Sequence, residues 1–376
     1  MPALRREVSL LLVVVCSLAF SLLSGCGSNT HRVCAAAGCC GLVDACAAPT
    51  YVVADGINGQ ISVYPVTQNG TLGTPMTVSG PSESLGMATL GNQFVYVANP
   101  VPLSGSTISG WSFDPNTGQL TPLSGSPFNI GPFSVAGALA ANIAAQVVYV
   151  ADGSRIDALR ANSTGALTPL PGSPFPAGTG LGVTIDSGSR FVYSTDSTPP
   201  GFVWAFTADS TGALTPISGS PYAVGTNPLF SVNPSQVVVD LLGKFVFVAL
   251  TTTNQVAAYS IDQSTGGLTP VPGSPFAAGS NPIGMATVNN LLYVSNTTDG
   301  TVSGYTIDST SGVLTPAVGS PFPISAGALA VSPGTNLFAS TPQGLVSYSV
   351  DLSTGTLTQV GSPVASPGAS VLALVF

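Results

Sequence analysis

The nine residues LTPLSGSPF, at positions 120–128, return along the chain with small changes. The further copies are LTPLPGSPF (167–175), LTPISGSPY (214–222), LTPVPGSPF (268–276), LTPAVGSPF (314–322) and the shortened LTQVGSP (357–363). A second motif recurs every 44–54 residues and is an apolar strand that mostly ends in Asp or Asn. Its copies are VVAD (52–55), YVAN (96–99), YVAD (149–152), YSTD (193–196), FVAL (247–250), YVSN (293–296) and FAST (338–341). Repetition at this period, with only strand and turn signals inside it, is typical of a β-propeller.

Each repeat is interpreted as four strands of one blade. An apolar strand such as LGMATL or GVTID comes first, and the aromatic-Val strand follows it. The third strand is predicted to carry an aromatic at one fixed place: Tyr64, Trp111, Trp204, Tyr259, Tyr305 and Tyr348. A turn rich in Asp, Thr and Gly leads into LTP, the fourth strand, and GSPF forms the corner, where proline blocks pairing with another chain.

The two ends of the repeat region predict how the ring closes. The region starts at Tyr51 with an aromatic-Val strand, and the chain ends in ASVLALVF (369–376), which is an inner-type strand. We therefore predict an all-β fold, a seven-bladed β-propeller of four-stranded blades over residues 51–376. Its C-terminal strand should join the first blade.

The first residues are typical of an export signal. Arg5 and Arg6 precede an apolar run, and Leu23-Ser24-Gly25-Cys26 is similar to a bacterial lipobox. We predict a lipoprotein signal peptide over 1–25 and a lipid anchor on Cys26 that attaches the protein to a membrane. The protein would then be exported to the cell envelope, as an outer-membrane-anchored or periplasmic lipoprotein. An ordinary signal peptide that ends near a cysteine is the alternative.

Residues 26–50 are predicted to form a tether rich in cysteine. Four clustered thiols in an oxidising compartment favour two disulfides in one of three pairings: Cys34, Cys39, Cys40 and Cys46. A metal or iron–sulfur site is the alternative, but the segment lacks a C-x-x-C pair. No cysteine follows Cys46, so the propeller itself is expected to contain no disulfide.

The low content of charged residues limits which binding partners are expected. Charged residues make up 6% of the chain, against roughly 25% in a typical soluble protein. Seven basic residues are too few for a phosphate-binding stripe, so nucleic acid is not an expected partner. We expect a monomer that presents a polar, charge-poor surface to a sugar-like or protein ligand.

The ends of the aromatic-Val strands are the candidate binding positions. In a propeller these ends meet the loops before the inner strands at one end of the channel. There we predict a broken polar ring that binds a ligand: Asp55, Asn99, Asp152, Asp196 and Asn296. The alternative is that each side chain caps its own turn. Ca²⁺ would suit such oxygen ligands, although no EF-hand-like spacing supports it, and no other cofactor is expected.

The YV(A/S)(N/D) strand, the D-x-x-T-G-x-L-T-P turn and the blade period resemble the YVTN family of seven-bladed propellers. This family includes the propeller-type lactonases, similar to bacterial 6-phosphogluconolactonase. The resemblance implies a hydrolase that sets His, Arg and Glu around the channel mouth. This chain departs from that pattern, because no His follows His31 and Glu83 is its one glutamate after residue 7.

A lactonase needs a base to activate water and a donor for the oxyanion. The catalytic candidates are Asp152 or Glu83 as base and Arg155 as the anion-stabilising cation. Two sequence-local pairs, Asp186 with Arg190 and Asp240 with Lys244, are predicted to stabilise turns at the opposite end. With few cations left, a phosphorylated substrate is not expected.

Two functions stay open from the sequence. The first is a lipid-anchored propeller that binds a ligand or partner or acts as a surface scaffold, because catalytic side chains are scarce. The alternative is a lactonase-like hydrolase acting on a sugar lactone at the channel mouth.

Overall fold

The computed structural model describes residues 50–56, 58–82, 84–100, 105–131, 136–180, 182–225, 231–332, 335–366 and 369–375. Every helix or strand in these ranges is a β-strand. The described residues therefore hold no helix that is long and apolar enough to cross a membrane. The predictions for the signal peptide, for Cys26 and for the four tether cysteines fall outside the described residues.

The strands follow one another with short turns. The first half contains β1 (Thr50–Gly56), β2 (Gln60–Val66), β3 (Met76–Ser79), β4 (Met87–Leu90), β5 (Phe94–Asn99), β6 (Thr107–Phe113), β7 (Leu120–Pro122), β8 (Phe128–Asn129), β9 (Ala136–Asn142), β10 (Val147–Asp152), β11 (Arg155–Ala161), β12 (Leu167–Pro169), β13 (Phe175–Pro176), β14 (Val183–Ile185), β15 (Phe191–Asp196) and β16 (Phe202–Ala208). The second half contains β17 (Leu214–Pro216), β18 (Tyr222–Ala223), β19 (Pro234–Val239), β20 (Phe245–Leu250), β21 (Gln255–Ile261), β22 (Leu268–Pro270), β23 (Phe276–Ala277), β24 (Pro282–Val288), β25 (Leu291–Asn296), β26 (Thr301–Ile307), β27 (Leu314–Pro316), β28 (Leu329–Val331), β29 (Asn336–Thr341), β30 (Gly344–Val350), β31 (Leu357–Val364) and β32 (Ala369–Val375).

The strands form seven antiparallel sheets, which we number as blades 1–7. Blades 2–7 are built from consecutive strands: β4–β7, β9–β12, β14–β17, β19–β22, β24–β27 and β28–β31. The first strands of successive blades contact one another all the way round, from β4 through β9, β14, β19, β24 and β28 to β32 and back to β4. The predicted all-β, seven-bladed propeller is confirmed.

The ring closes between the two ends of the described chain. In blade 1, β32 pairs with β1, so that Tyr51 lies opposite Val375 and Asp55 opposite Val371. The blade thus has the strand order β3-β2-β1-β32. The predicted closure by the C-terminal strand is confirmed, and it gives β1 a hydrogen-bonded neighbour on both sides.

A tyrosine hydroxyl ties successive blades together. Four second-strand tyrosines are fully buried, and each donates to the carbonyl of a turn glycine in the next blade: Tyr96 to Gly165 (2.7 Å), Tyr149 to Gly212 (2.7 Å), Tyr193 to Gly266 (2.9 Å) and Tyr293 to Gly355 (2.9 Å). Each glycine has a positive φ and packs so closely that an added Cβ would meet side chains of the preceding blade. The Tyr of one repeat and the Thr-Gly turn of the next are therefore parts of one contact.

The GSPF phrase forms the predicted corner of a blade. Its serine hydroxyl accepts an amide hydrogen bond of 2.8–3.0 Å from the third strand in five blades: Ser126, Ser173, Ser220, Ser274 and Ser320. The peptide bond before each proline is cis. The aromatic that follows the proline bridges back to the third strand, as Phe175 does to Ile156. In blade 7 the shortened copy runs on as one strand, Leu357–Val364.

The predicted aromatic place in the third strand needs correction in two blades. Four predicted residues lie opposite the residue that precedes the second-strand aromatic: Trp111, Tyr259, Tyr305 and Tyr348. In blade 4 that place belongs to Phe206, which is opposite Val192, while Trp204 lies opposite Ser194. In blade 1 Tyr64 lies one position away, opposite Val52. Longer or shorter hairpin loops shift these residues relative to the repeat.

Candidate active site

One end of the propeller gathers the predicted site residues. Because the strands are antiparallel, the second strands end where the third strands begin and where the loops into the first strands arrive. We call this end the top face and define it by seven residues at the ends of the second strands, each the last residue of its strand except Asp55, which is the last but one: Asp55, Asn99, Asp152, Asp196, Leu250, Asn296 and Thr341.

A repeated side-chain arrangement occurs at the top of each of blades 2–7. The last residue of the second strand lies opposite the first residue of the third strand, and the third residue of that strand projects from the same side. In blade 2, Asn99 Nδ2 donates to Thr107 Oγ1 (2.9 Å) and to Ser109 Oγ (2.8 Å). In blade 6, Asn296 makes the same two bonds to Thr301 (3.1 Å) and Ser303 (2.9 Å).

Blade 3 places three charged groups in this arrangement. Arg155 lies opposite Asp152, and Asp157 lies one diagonal step further on the same side of the sheet. The Arg155 guanidinium bridges the two acids, with 2.8 Å from Nη2 to Asp152 Oδ2 and 3.1 Å from Nε to Asp157 Oδ2. Gly131 packs against the guanidinium, because a Cβ atom added to this glycine would lie 3.2 Å from Arg155 Nη2. The predicted pair Asp152 and Arg155 is therefore in direct contact.

One acid of this cluster, Asp157, keeps its proton up to near neutral pH. Asp152 and Asp157 are 4% and 5% exposed, and both contact the Arg155 guanidinium. Burial first, and the neighbouring Asp152 second, raise the pKa of Asp157 to about 7, against the opposing effect of Arg155. A second carboxyl group this close disfavours the charged form of Asp157, so Asp157 is suited to act as an acid. Arg155, with 29% of its side chain exposed, is the member that meets solvent.

Asp157 was not among the predicted site residues. The sequence feature that could have identified Asp157 is the turn Gly153-Ser154. This turn has the two-residue length of a tight hairpin, so Asp152 lies opposite Arg155. With that register, the acid two residues after Arg155 must share its side of the sheet. The equivalent residues in the other blades carry no charge: Ser109, Trp204, Ala257, Ser303 and Val346.

The other predicted ligand-binding residues make local bonds. Asp196 is 5% exposed and accepts from Thr179 (2.9 Å), Thr198 (2.9 Å) and the Trp204 indole (3.2 Å). Although burial acts to raise it, these bonds hold the pKa of Asp196 below its ordinary value. Asn296 is fully buried and accepts from the Gly279 amide (3.1 Å). Ligand binding by Asn99, Asp196 and Asn296 stays a prediction, and their bonds are those of strand-end caps.

Asp55 differs from these caps in its ionisation. It is fully buried, and burial raises its pKa to about 6 despite hydrogen bonds from Ser84 and from the Gly56 amide. Its role as a ligand-binding residue stays a prediction. Glu83, the other candidate base, lies outside the described residues.

The predicted turn pairs at the opposite end are confirmed as structural. Asp186 Oδ1 accepts the amides of Arg190 (2.6 Å) and Phe191 (2.7 Å), and Asp240 Oδ1 accepts that of Lys244 (2.6 Å). A cavity of about 290 Å³ lies beside this second turn, where Leu241 and Leu242 are exposed. Its acid is already occupied by turn amides, so its lining suits apolar contact rather than acid–base chemistry.

In the described part of the chain, no three acidic, His or Cys side chains come together as metal ligands. The weak prediction of Ca²⁺ on the strand-end ring stays a prediction.

Comparison with known proteins places the fold. The family described as "Lactonase, 7-bladed beta-propeller" matches residues 203–331, about a third of the chain. No curated protein matches the chain. A candidate 6-phosphogluconolactonase from Bacteroides uniformis is similar over 87% of this chain and 99% of its own, with a TM-score of 0.73 and 18% identity. The periplasmic gluconolactonase of Pseudomonas aeruginosa is similar over 87% of this chain and 99% of its own, with a TM-score of 0.69 and 16% identity.

At these identities the solved structures establish the architecture only. The family match is a likeness to lactonase propellers over residues 203–331. The resemblance seen in the repeats is confirmed, and the chain is a lactonase-like seven-bladed β-propeller similar to the propeller-type lactonase family.

Proposed function

We propose that the protein hydrolyses a sugar lactone at the top face of blade 3, with Asp152, Arg155 and Asp157 as its acid–base centre. One observation carries the proposal: a buried carboxyl group that keeps its proton near neutral pH and a second buried carboxyl group both contact one partly exposed guanidinium. Hydrolysis of an ester needs a base, an acid and a cation at the oxyanion, and these three side chains supply them.

The groups have separate roles in the reaction. The Asp152 carboxylate takes a proton from water as the water oxygen bonds to the lactone carbonyl carbon. The Asp157 carboxyl group gives its proton to the ring oxygen as the bond between that oxygen and the carbonyl carbon breaks. The product is one hydroxy acid. The two aspartates return to their starting state when a proton moves from Asp152 to Asp157.

Arg155 stabilises the negative charge that develops on the carbonyl oxygen. In the free protein its guanidinium is engaged by both acids and is the most exposed of the three groups. As it turns toward a bound carbonyl, it uncovers the carboxylate oxygens behind it. Substrate binding and exposure of the base are thus one movement.

The test is acid release from a panel of sugar lactones, measured above the spontaneous rate with purified protein. We expect Asp157→Asn and Asp152→Asn to lower kcat by about 100-fold or more, the usual range for loss of an acid or base. Arg155→Gln should lower kcat/KM by a similar factor. Wild-type protein that is folded but does not hydrolyse any lactone would overturn the proposal.

The matched control is Arg190→Gln. Arg190 is likewise a cation beside a buried Asp, at 3.4 Å from Asp186, but it lies at the opposite end. We expect this variant to keep wild-type turnover within about twofold. A loss equal to that of Arg155→Gln would mean that charge anywhere on the fold matters, not this cluster.

We further propose that the protein reaches the cell envelope as a lipoprotein anchored through Cys26. The basic start, the apolar run and the LSGC sequence support it. Labelled fatty acid should be incorporated into the wild-type protein and not into Cys26→Ser. Equal labelling of both would contradict the anchor position.

A further inference from the structure

The propeller has few basic side chains, and each of them makes an ion pair or a hydrogen bond. Thirteen acidic and four basic residues follow position 49. At the top face the one cation is Arg155, and two carboxyl groups already bond to it. A second anion on this guanidinium would have to displace an acid that is almost fully buried.

The other three cations serve the opposite end. Each donates to a backbone carbonyl in a turn of the next blade: Arg160 to Thr211 (2.6 Å), Arg190 to Gln263 (3.0 Å) and Lys244 to Ser309 (3.3 Å). These bonds link blades 3 to 4, 4 to 5 and 5 to 6. They hold the cations at the far side of the propeller from the cluster.

A phosphate group needs cations or convergent backbone amides, and a helix N-terminus can supply such amides. The described residues contain no helix. The excess of acidic residues adds a negative field that repels an approaching anion. The scarcity of phosphate-binding groups and the excess of acidic residues both favour a ligand without charge.

We infer that the site takes an electrically neutral, unphosphorylated lactone and repels the hydroxy-acid anion that it forms. The inference rests on the proposed function and names its substrate class. Hydrolysis converts a neutral ring into a carboxylate beside the acid pair of Asp152 and Asp157, and the negative charge of the pair opposes its staying. We therefore expect weak inhibition by product.

The first test compares glucono-1,5-lactone with its 6-phosphate, using the same protein and the rates above spontaneous hydrolysis. We expect kcat/KM to be at least tenfold higher for the neutral lactone. Its KM should change little between low and high salt, while any KM for the phosphate should fall as salt screens the repulsion.

A pair of serine variants sharpens the comparison. Ser154 is exposed in the turn before Arg155, and Ser187 is exposed in the turn after Asp186 at the opposite end. Ser154→Lys brings a free cation to the cluster and should shift the ratio of kcat/KM toward the phosphate by about tenfold. Ser187→Lys adds the same charge at the far end and should leave the ratio unchanged.

The outcomes separate the two proposals. A wild-type preference for the phosphorylated lactone overturns the inference and leaves hydrolysis at this site standing. Turnover of the neutral lactone with Ser154→Lys and Ser187→Lys acting alike also overturns it, because the cluster then does not set the preference. No turnover of either lactone by folded protein overturns the proposed function and this inference with it.

Discussion

The hydroxyl of Tyr149 in blade 3 donates a 2.7 Å hydrogen bond to the carbonyl of Gly212 in blade 4, and neither group is exposed to solvent. Loss of the hydroxyl leaves a buried carbonyl without this donor. We expect Tyr149→Phe to lower the free energy of unfolding by about 1–2 kcal/mol. Chemical denaturation measures it.

The control for this change is Tyr222→Phe, which removes an exposed bond of 3.2 Å to the Ser218 carbonyl. Water replaces that bond, so the cost should stay below about 0.5 kcal/mol. Equal costs for the two variants would show that the tie between blades adds nothing to stability.

The proton held by Asp157 predicts the pH dependence of turnover. Its raised pKa of about 7 means that the acid form is lost as the pH rises through neutrality. We expect kcat/KM to fall about tenfold per pH unit above that point, after correction for hydroxide-driven hydrolysis. A rate that is flat from pH 6 to pH 9 would exclude Asp157 as the acid.

The free energy of unfolding should fall both above and below about pH 4. Above that pH the buried acids cause the fall. The pKa values of Asp55 and Asp157 are raised in the folded protein by burial to about 6 and about 7, so the unfolded chain loses these protons first. Stability from these groups is complete below pH 4 and is lost as the pH rises to 7, at about 1.4 kcal/mol per pH unit for each proton.

The turn aspartates act the other way, because hydrogen bonds from turn Ser and Thr residues lower the pKa values of Asp262 and Asp351 to about 2. Their contribution is present above pH 4 and is lost as the pH falls. We therefore expect maximal thermal stability near pH 4–5, and a shallower decline toward neutral pH in Asp157→Asn. A wild-type maximum above pH 7 would contradict both assignments.

The pairing of β1 with β32 can be locked covalently. Val53 lies opposite Ala373, and no cysteine occurs in the propeller. Val53→Cys with Ala373→Cys should form a disulfide that closes a loop of about 320 residues and stabilises the fold by about 4 kcal/mol when oxidised. The Val53→Cys single variant is the control. If the pair fails to crosslink in folded protein, the register of closure is different.

The sequence was sufficient for the architecture because each blade repeats the same signals. The second-strand phrase and the LTP-GSPF phrase mark one blade each, and ASVLALVF matches the strand that blade 1 lacks. Side-chain neighbourhoods were harder to predict, since they depend on register. Trp204 was predicted at the fixed aromatic place of the third strand, but in the register of blade 4 that place belongs to Phe206, two residues further along.

The candidate site was predicted in part for the same reason. Asp152 and Arg155 are close in sequence and face each other across a two-residue turn, so their contact was accessible to inspection. The raised pKa of Asp157 comes from burial and from a carboxyl neighbour, and both depend on the packing of blade 3. Bonds such as that from the Trp204 indole to Asp196 likewise appear only once the strands are aligned.

The pairing of Tyr51 with Val375 has a consequence for biosynthesis. β1 is the first strand of the propeller to be made, yet its partner β32 is the last, so one edge of β1 has no neighbour throughout translation. Contacts between residues this far apart in the chain form slowly. Whatever blades 2–7 have already folded, the ring stays open until the final strand has been synthesised.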